Sequence, residues 1–186
     1  MKRLAAIATL AALLAACSDS GHRSVPRPTA YPRVPVCDTA TVALSSGTFD
    51  MRVNASTLRR EKEQGWLDIV YPSYGVTVHL TAMSFGNTAD LDRALDNRMQ
   101  RMSLNFGDTP ADTRTFTNAA GVECLIAGSP DAGTAPIYII ARRDGSRPAL
   151  LSAAAVFSGA TQPVDSVYPV YKAVRDDMDK LLNSLR

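Results

Sequence analysis

Residues 66 to 83 constrain this fold more than any other stretch. Trp66 to Tyr71 alternates, with Leu67, Ile69 and Tyr71 on one side and Trp66, Asp68 and Val70 on the other. Pro72-Ser73-Tyr74-Gly75 follows as a turn. Proline presets one dihedral there, and glycine tolerates the positive one. Val76 to Met83 then resumes the alternation, with Val76, Val78 and Leu80 on one face. His79 is one step out of phase and points with Thr77 and Thr81. The two halves make a hairpin whose apolar face must be buried against another layer.

The rest of the chain supplies that layer. Thr48 to Val53 alternates, with Phe49, Met51 and Val53 together. Further strands are expected over Arg114 to Asn118, Gly121 to Ala127, Ile137 to Arg143 and Ala149 to Phe157. Asp144-Gly145-Ser146 turns the last two into a hairpin. Between the strand groups, Leu91, Leu95, Met99 and Met102 recur at helical spacing. Asn87-Thr88 offers the N-cap, Asp90 and Asp92 suit the first turn, Arg98 and Arg101 fall in the last turns, and Gly107 stops the helix after about four turns. A second helix carries Val167, Tyr171, Val174, Met178, Leu181 and Leu185 on one stripe. Asp165 or Ser166 can cap it, with Pro169 in its first turn. The order is strands, helix, strands, helix. It predicts an α+β fold, a mainly antiparallel sheet with two amphipathic helices packed on it, in one sandwich-like domain. Two such helices have the apolar content to cover much of one face. No internal repeat is visible.

The N-terminus sets the compartment. Lys2 and Arg3 precede an apolar run from Leu4 to Ala16, too short to span a bilayer. Leu14-Ala15-Ala16-Cys17 reads as a lipobox, so the chain resembles a bacterial lipoprotein. That makes residues 1–16 a signal peptide and Cys17 the lipidated N-terminus. Residues 17–36 are a Pro-rich tether, and residues 37–186 one α+β domain. The alternative is an ordinary signal peptide with a cysteine at the junction. Several acyl chains, at roughly 0.8 kcal/mol per buried methylene, would hold the protein on a membrane. Processing leaves 170 residues with 18 basic and 18 acidic side chains, enough for a real core and without the basic excess of a nucleic-acid binder. Arg59-Arg60-Glu61-Lys62-Glu63 is mixed in sign and reads as a solvated face. Cys37 and Cys124 remain. They either form one disulfide, which the compartment permits, or stay free and buried. Without a neighbouring histidine they lack the ligand count for a metal.

Catalytic signatures are absent. The sequence holds no Walker A, His-Glu-x-x-His, Gly-x-Ser-x-Gly or Gly-x-Gly-x-x-Gly motif. Its two histidines are His22, in the tether, and His79, in a strand. A Ser-His-Asp triad would need His79 beside groups such as Ser73 and Asp68. Asp176, Asp177 and Asp179 are interleaved with Arg175 and Lys180 on a helix and lack a calcium loop, so they read as a solvated face. Asn54-Ala55-Ser56 matches the glycosylation sequon by chance. Trp66, Tyr71, Tyr74 and Phe85 cluster around the central hairpin. They form either a protein-interaction surface or, for Trp66 and Tyr71, part of the core.

The lipobox, the Pro-Arg-Pro-Thr-Ala-Tyr-Pro-Arg-Val segment and the Trp-Leu-Asp-Ile-Val-Tyr-Pro-Ser-Tyr-Gly-Val-Thr-Val-His-Leu hairpin (Trp66 to Leu80) are similar to those of the gliding-motility lipoprotein GldD family. The Asp-Asp-Met-Asp-Lys-Leu run in the last helix adds to the likeness, which extends from about Arg23 to the end. Residues 38 to 62 depart from the pattern, being polar and rich in Ser and Thr. The resemblance implies a lipid-anchored, non-catalytic envelope protein of the gliding and type IX secretion machinery. It also implies other machinery components as partners and no cofactor. Ser18 after the lipidated cysteine favours the outer membrane, facing the periplasm. Two other readings stand beside it: a periplasmic lipoprotein that binds a small ligand in a sheet–helix cleft, and a cell-wall hydrolase with His79 as base.

Overall fold

The computed structural model describes residues 40–62, 65–129, 136–158 and 164–186. Cys17, His22, Cys37 and the tether lie outside the described residues. Nine strands appear among those described: β1 (Thr41–Ser45), β2 (Asp50–Asn54), β3 (Leu58–Glu61), β4 (Trp66–Tyr71), β5 (Val76–Ser84), β6 (Asp112–Thr117), β7 (Glu123–Gly128), β8 (Ile137–Arg143) and β9 (Ala149–Phe157). The helices are α1 (Thr88–Phe106) and α2 (Val164–Ser184). The fold is the expected α+β class.

Seven strands form one sheet in the order β3-β4-β5-β9-β8-β7-β6, antiparallel at every pairing. Two meanders, β3-β4-β5 and β6-β7-β8-β9, meet where β5 pairs with β9 over nine residues. β1 and β2 make a separate hairpin whose Phe49, Met51 and Val53 join the main core.

The helices lie on opposite faces, which corrects the expectation that both cover one. Successive residues of a strand face opposite ways. Ile137, Ile139 and Ala141 of β8 pack in one cluster with Tyr171, Val174 and Met178 of α2. Ile140, between them, packs with Leu91, Leu95 and Met99 of α1. The sheet is therefore a middle layer. An apolar stripe shows that a helix has a buried side; it does not say which sheet face receives it.

Local chemistry sets the helix ends. Asn87 caps α1, its side chain accepting from the Asp90 amide at 2.9 Å. Gly107, at φ 55°, returns its N–H to the Ser103 carbonyl. α1 runs 19 residues, about five turns rather than four, so Arg101 falls in its penultimate turn and Arg98 one turn further back. α2 starts at Val164, which places Asp165 and Ser166 inside the helix instead of at its cap, and Pro169 sixth in it rather than in the first turn.

Other expectations shift as well. β1 and the all-exposed edge strand β3 were not anticipated. Asp177 is buried rather than solvated; it accepts from Asn54 Nδ2 at 2.9 Å and pairs with Lys180, tying α2 to β2. Asn54, the sequon residue, is therefore an internal strut. Asp176 pairs with Lys172 and Asp179 with Arg114, and no metal-binding cluster occurs among the described residues.

Gly65 opens β4 under tight constraint. Its φ is +81°, and a Cβ there would sit 2.5 Å from the Ala82 carbonyl oxygen. Its own carbonyl accepts from the Ala82 amide at 2.8 Å. Gly65→Ala should cost about 1–3 kcal/mol, through left-handed strain and displacement of β5. The measurement is the urea midpoint; an unchanged midpoint would show that the backbone yields freely here.

Candidate functional site

The α1 face of the sheet is only half covered. α1 packs its apolar side over β7, β8 and β9, against Leu125, Ala127, Ile140 and Leu150. Beyond it, β4 and β5 present Trp66, Asp68, Thr77, His79 and Thr81. Between them β9 carries Ser152 and Ala154, small side chains that leave room beside the helix. A cleft of about 270 Å³ opens there. Its walls include Trp66, Asp68, His79, Thr81 and Ser152 from the sheet, and Arg98, Arg101, Met102 and Asn105 from α1. Apolar walls with a few convergent polar groups are the usual makeup of a small-molecule site, and this volume is near the lower limit for one.

Register builds the polar floor. Asp68 and His79 are direct cross-strand partners. Their side chains bond, Oδ1 to Nδ1, at 2.7 Å. The other Asp68 oxygen pairs with Lys62 Nζ at 2.7 Å. Burial pushes the Asp68 carboxyl pKa up. The hydrogen bonds and charges of Lys62 and His79 outweigh that and hold it below the ordinary value. With Nδ1–H donating to the carboxylate, Nε2 is the ring nitrogen left for a visitor. One rung along, Thr81 Oγ1 meets Ser152 Oγ at 3.1 Å.

The helix wall is cationic. Arg98 and Arg101 are three apart on α1 and so share a side. Neither makes an ion pair among the described residues. Burial lowers the pKa of Arg98, and the charge of Arg101 lowers it further. Asp68 is already answered by Lys62, so the cleft carries an excess of positive charge. Asn105 donates to Tyr138 Oη at 2.9 Å, and both residues line the cleft.

The residues singled out in the sequence separate. Trp66 stands 55% exposed at the cleft. Tyr71 is on the other side of β4, buried, with Tyr74 stacked on it at 6.0 Å. Phe85 packs beside α1. These four do not make one patch. Ser73 lies in the β4–β5 turn, beyond the Tyr71–Val76 rung. That rung lies three steps along the strand from the Asp68–His79 pair, about 10 Å, so Ser73 and the pair do not converge. The hydroxyls nearer by, Thr81 and Ser152, bond to each other. Cys124 is a free, buried thiol whose pKa burial pushes up to about 11, which keeps it protonated and unreactive. No described helix is long and apolar enough to cross a membrane.

Sequence reasoning gave Arg98 and Arg101 only a helix-end place and overlooked Ser152. The one available signal was the Ser-Ala-Ala-Ala run, residues 152 to 155, small side chains inside an otherwise bulky buried strand.

No protein-family model matches the chain, and no curated protein matches it. A solved structure from Bacteroides thetaiotaomicron aligns over 78% of this chain at 11% identity, with a TM-score of 0.44. This chain spans 47% of that one, about half its length.

Proposed function

We propose that this chain is a lipid-anchored binding protein of the cell envelope, holding a small molecule in the cleft beside α1 without transforming it. One observation carries the reading: an open, apolar-walled cleft into which Asp68, His79, Thr81, Ser152, Arg98 and Arg101 converge. The lipobox at Cys17 supplies the anchor. The test is a thermal shift of the protein against fractions of an envelope extract. A fraction carrying a ligand at 100 times its Kd would add about 2.7 kcal/mol, several degrees in Tm. If no fraction raises the Tm, the binding reading falls. In the same cells, Cys17→Ser should move the protein from the membrane to the soluble envelope fraction.

A second reading, membership of the gliding and type IX secretion machinery, draws on the hairpin sequence. The same hairpin supplies Trp66, Asp68 and His79 to the cleft, so the likeness falls on residues with a job to do. A clean deletion strain would then lose secretion of type IX cargo. Normal secretion and normal motility would discard this reading while leaving the cleft intact.

A further inference from the structure

We infer that the cleft selects a small aromatic anion, its carboxylate or phosphate head between Arg98 and Arg101 and its ring on Trp66. This rests on the binding reading above and names the ligand class for it.

The charge argument comes first. Two guanidiniums line one wall with no acidic partner among the described residues. The one carboxylate in the cleft, Asp68, already holds Lys62 and His79, one on each oxygen. It is therefore committed, and the arginines face an unanswered field. An anion between them relieves their mutual repulsion and accepts forked hydrogen bonds, the geometry guanidinium groups suit best. A cation would meet the same field as a barrier.

The ring argument is independent. Trp66 is the chain's single tryptophan, and it is largely exposed where it borders the cleft. An exposed indole beside a concave site offers a flat face on which an aromatic ring can stack. Met102, Ile140 and Ala154 give the rest of a ring-sized apolar lining. At about 270 Å³ the cleft lies near the lower limit for small-molecule sites, a size suited to a single ring with a head group.

The lone tryptophan is also the reporter. The lipidated full-length protein in detergent micelles is titrated with phenyl phosphate and benzoate. Benzyl alcohol and benzylamine serve as neutral and cationic congeners, and inorganic phosphate as the ringless head. The anionic ring compounds should change Trp66 emission saturably, the other probes at least tenfold more weakly. Arg98→Gln and Arg101→Gln should each weaken phenyl phosphate binding by about tenfold to a hundredfold, since each removes a charge-assisted contact, and together they should abolish it. Comparing congeners on the unaltered protein makes the result independent of how the variants fold. Equal binding of benzyl alcohol or benzylamine would overturn the anion claim and leave the binding reading standing. Equal binding of inorganic phosphate would overturn the ring claim. If none of the probes binds while an extract fraction still raises the Tm, the ligand class is wrong and the cleft still binds. If neither happens, both readings fall.

Discussion

Asn118→Ala should be among the most destabilising single substitutions in this protein, at about 3–5 kcal/mol. Asn118 lies at the β6–β7 turn, 7% exposed, and uses both ends of its amide. Nδ2 donates to the carbonyls of Leu182 and Leu185, at 2.9 and 3.0 Å. Those carbonyls lie in the last turn of α2 and just past its end, where helix carbonyls run short of intrahelical donors. Oδ1 accepts from the amides of Ala120 and Val122, at 2.9 and 3.0 Å, and so shapes the turn. Alanine removes four hydrogen bonds at once, three of them buried, where water has little access. The expected loss is on the order of 10 °C in Tm for a domain of this size. Asn118→Asp separates the two ends. It keeps the acceptor but sets a carboxylate against two carbonyl oxygens. Protonation would restore a donor, so the folded-state pKa at that position would be raised above the unfolded value. The variant should therefore be more stable at low pH and lose that stability as pH rises through the folded pKa. A Tm within two or three degrees of the parent for Asn118→Ala would show that the turn and α2 are held by other contacts.

Ile139→Ala is the second large effect, expected at about 2–5 kcal/mol. Ile139 is fully buried in the middle of β8, opposite Ile126 of β7 on one side and Ala153 of β9 on the other. It belongs to the cluster that joins the sheet to α2. Truncation loses the transfer free energy of the removed carbons and leaves a cavity that neighbouring strands are too firmly paired to close. Leu104→Ala provides the contrast. Leu104 is 72% exposed on α1, and its loss should stay within about 0.5 kcal/mol. Chemical denaturation of the two variants measures the difference. A small effect at Ile139 would mean that the core is loosely packed around β8.

How much of this was readable in advance depended on where the information resides. β4, β5, β8 and β9 carry their own signal, because alternation and turn residues are local. The stripes of α1 and α2 are local too. β3 is Leu-Arg-Arg-Glu, with no buried face, so it has no hydrophobic period to detect; it is a strand because Leu58 to Glu61 pair with β4. The sheet face taken by each helix depends on chain tracing, which no single element encodes. The site divides the same way. Placing Asp68 and His79 on the outward faces of one hairpin was legible, and the turn length then made them partners. Arg98 and Arg101 looked like charges suited to a helix end. Their place in the cleft emerges only because α1 crosses the sheet beside Ser152 and Ala154, residues about fifty positions away.

The most direct measurement of the central claim is a ¹H–¹⁵N correlation spectrum of the protein titrated with phenyl phosphate. The account predicts saturable shifts at the Trp66 indole, at His79, Thr81 and Ser152, and at Arg98 and Arg101, with the α2 face unchanged. Shifts confined to α2 and the β1–β2 hairpin, or no saturable shift at the cleft, would contradict it.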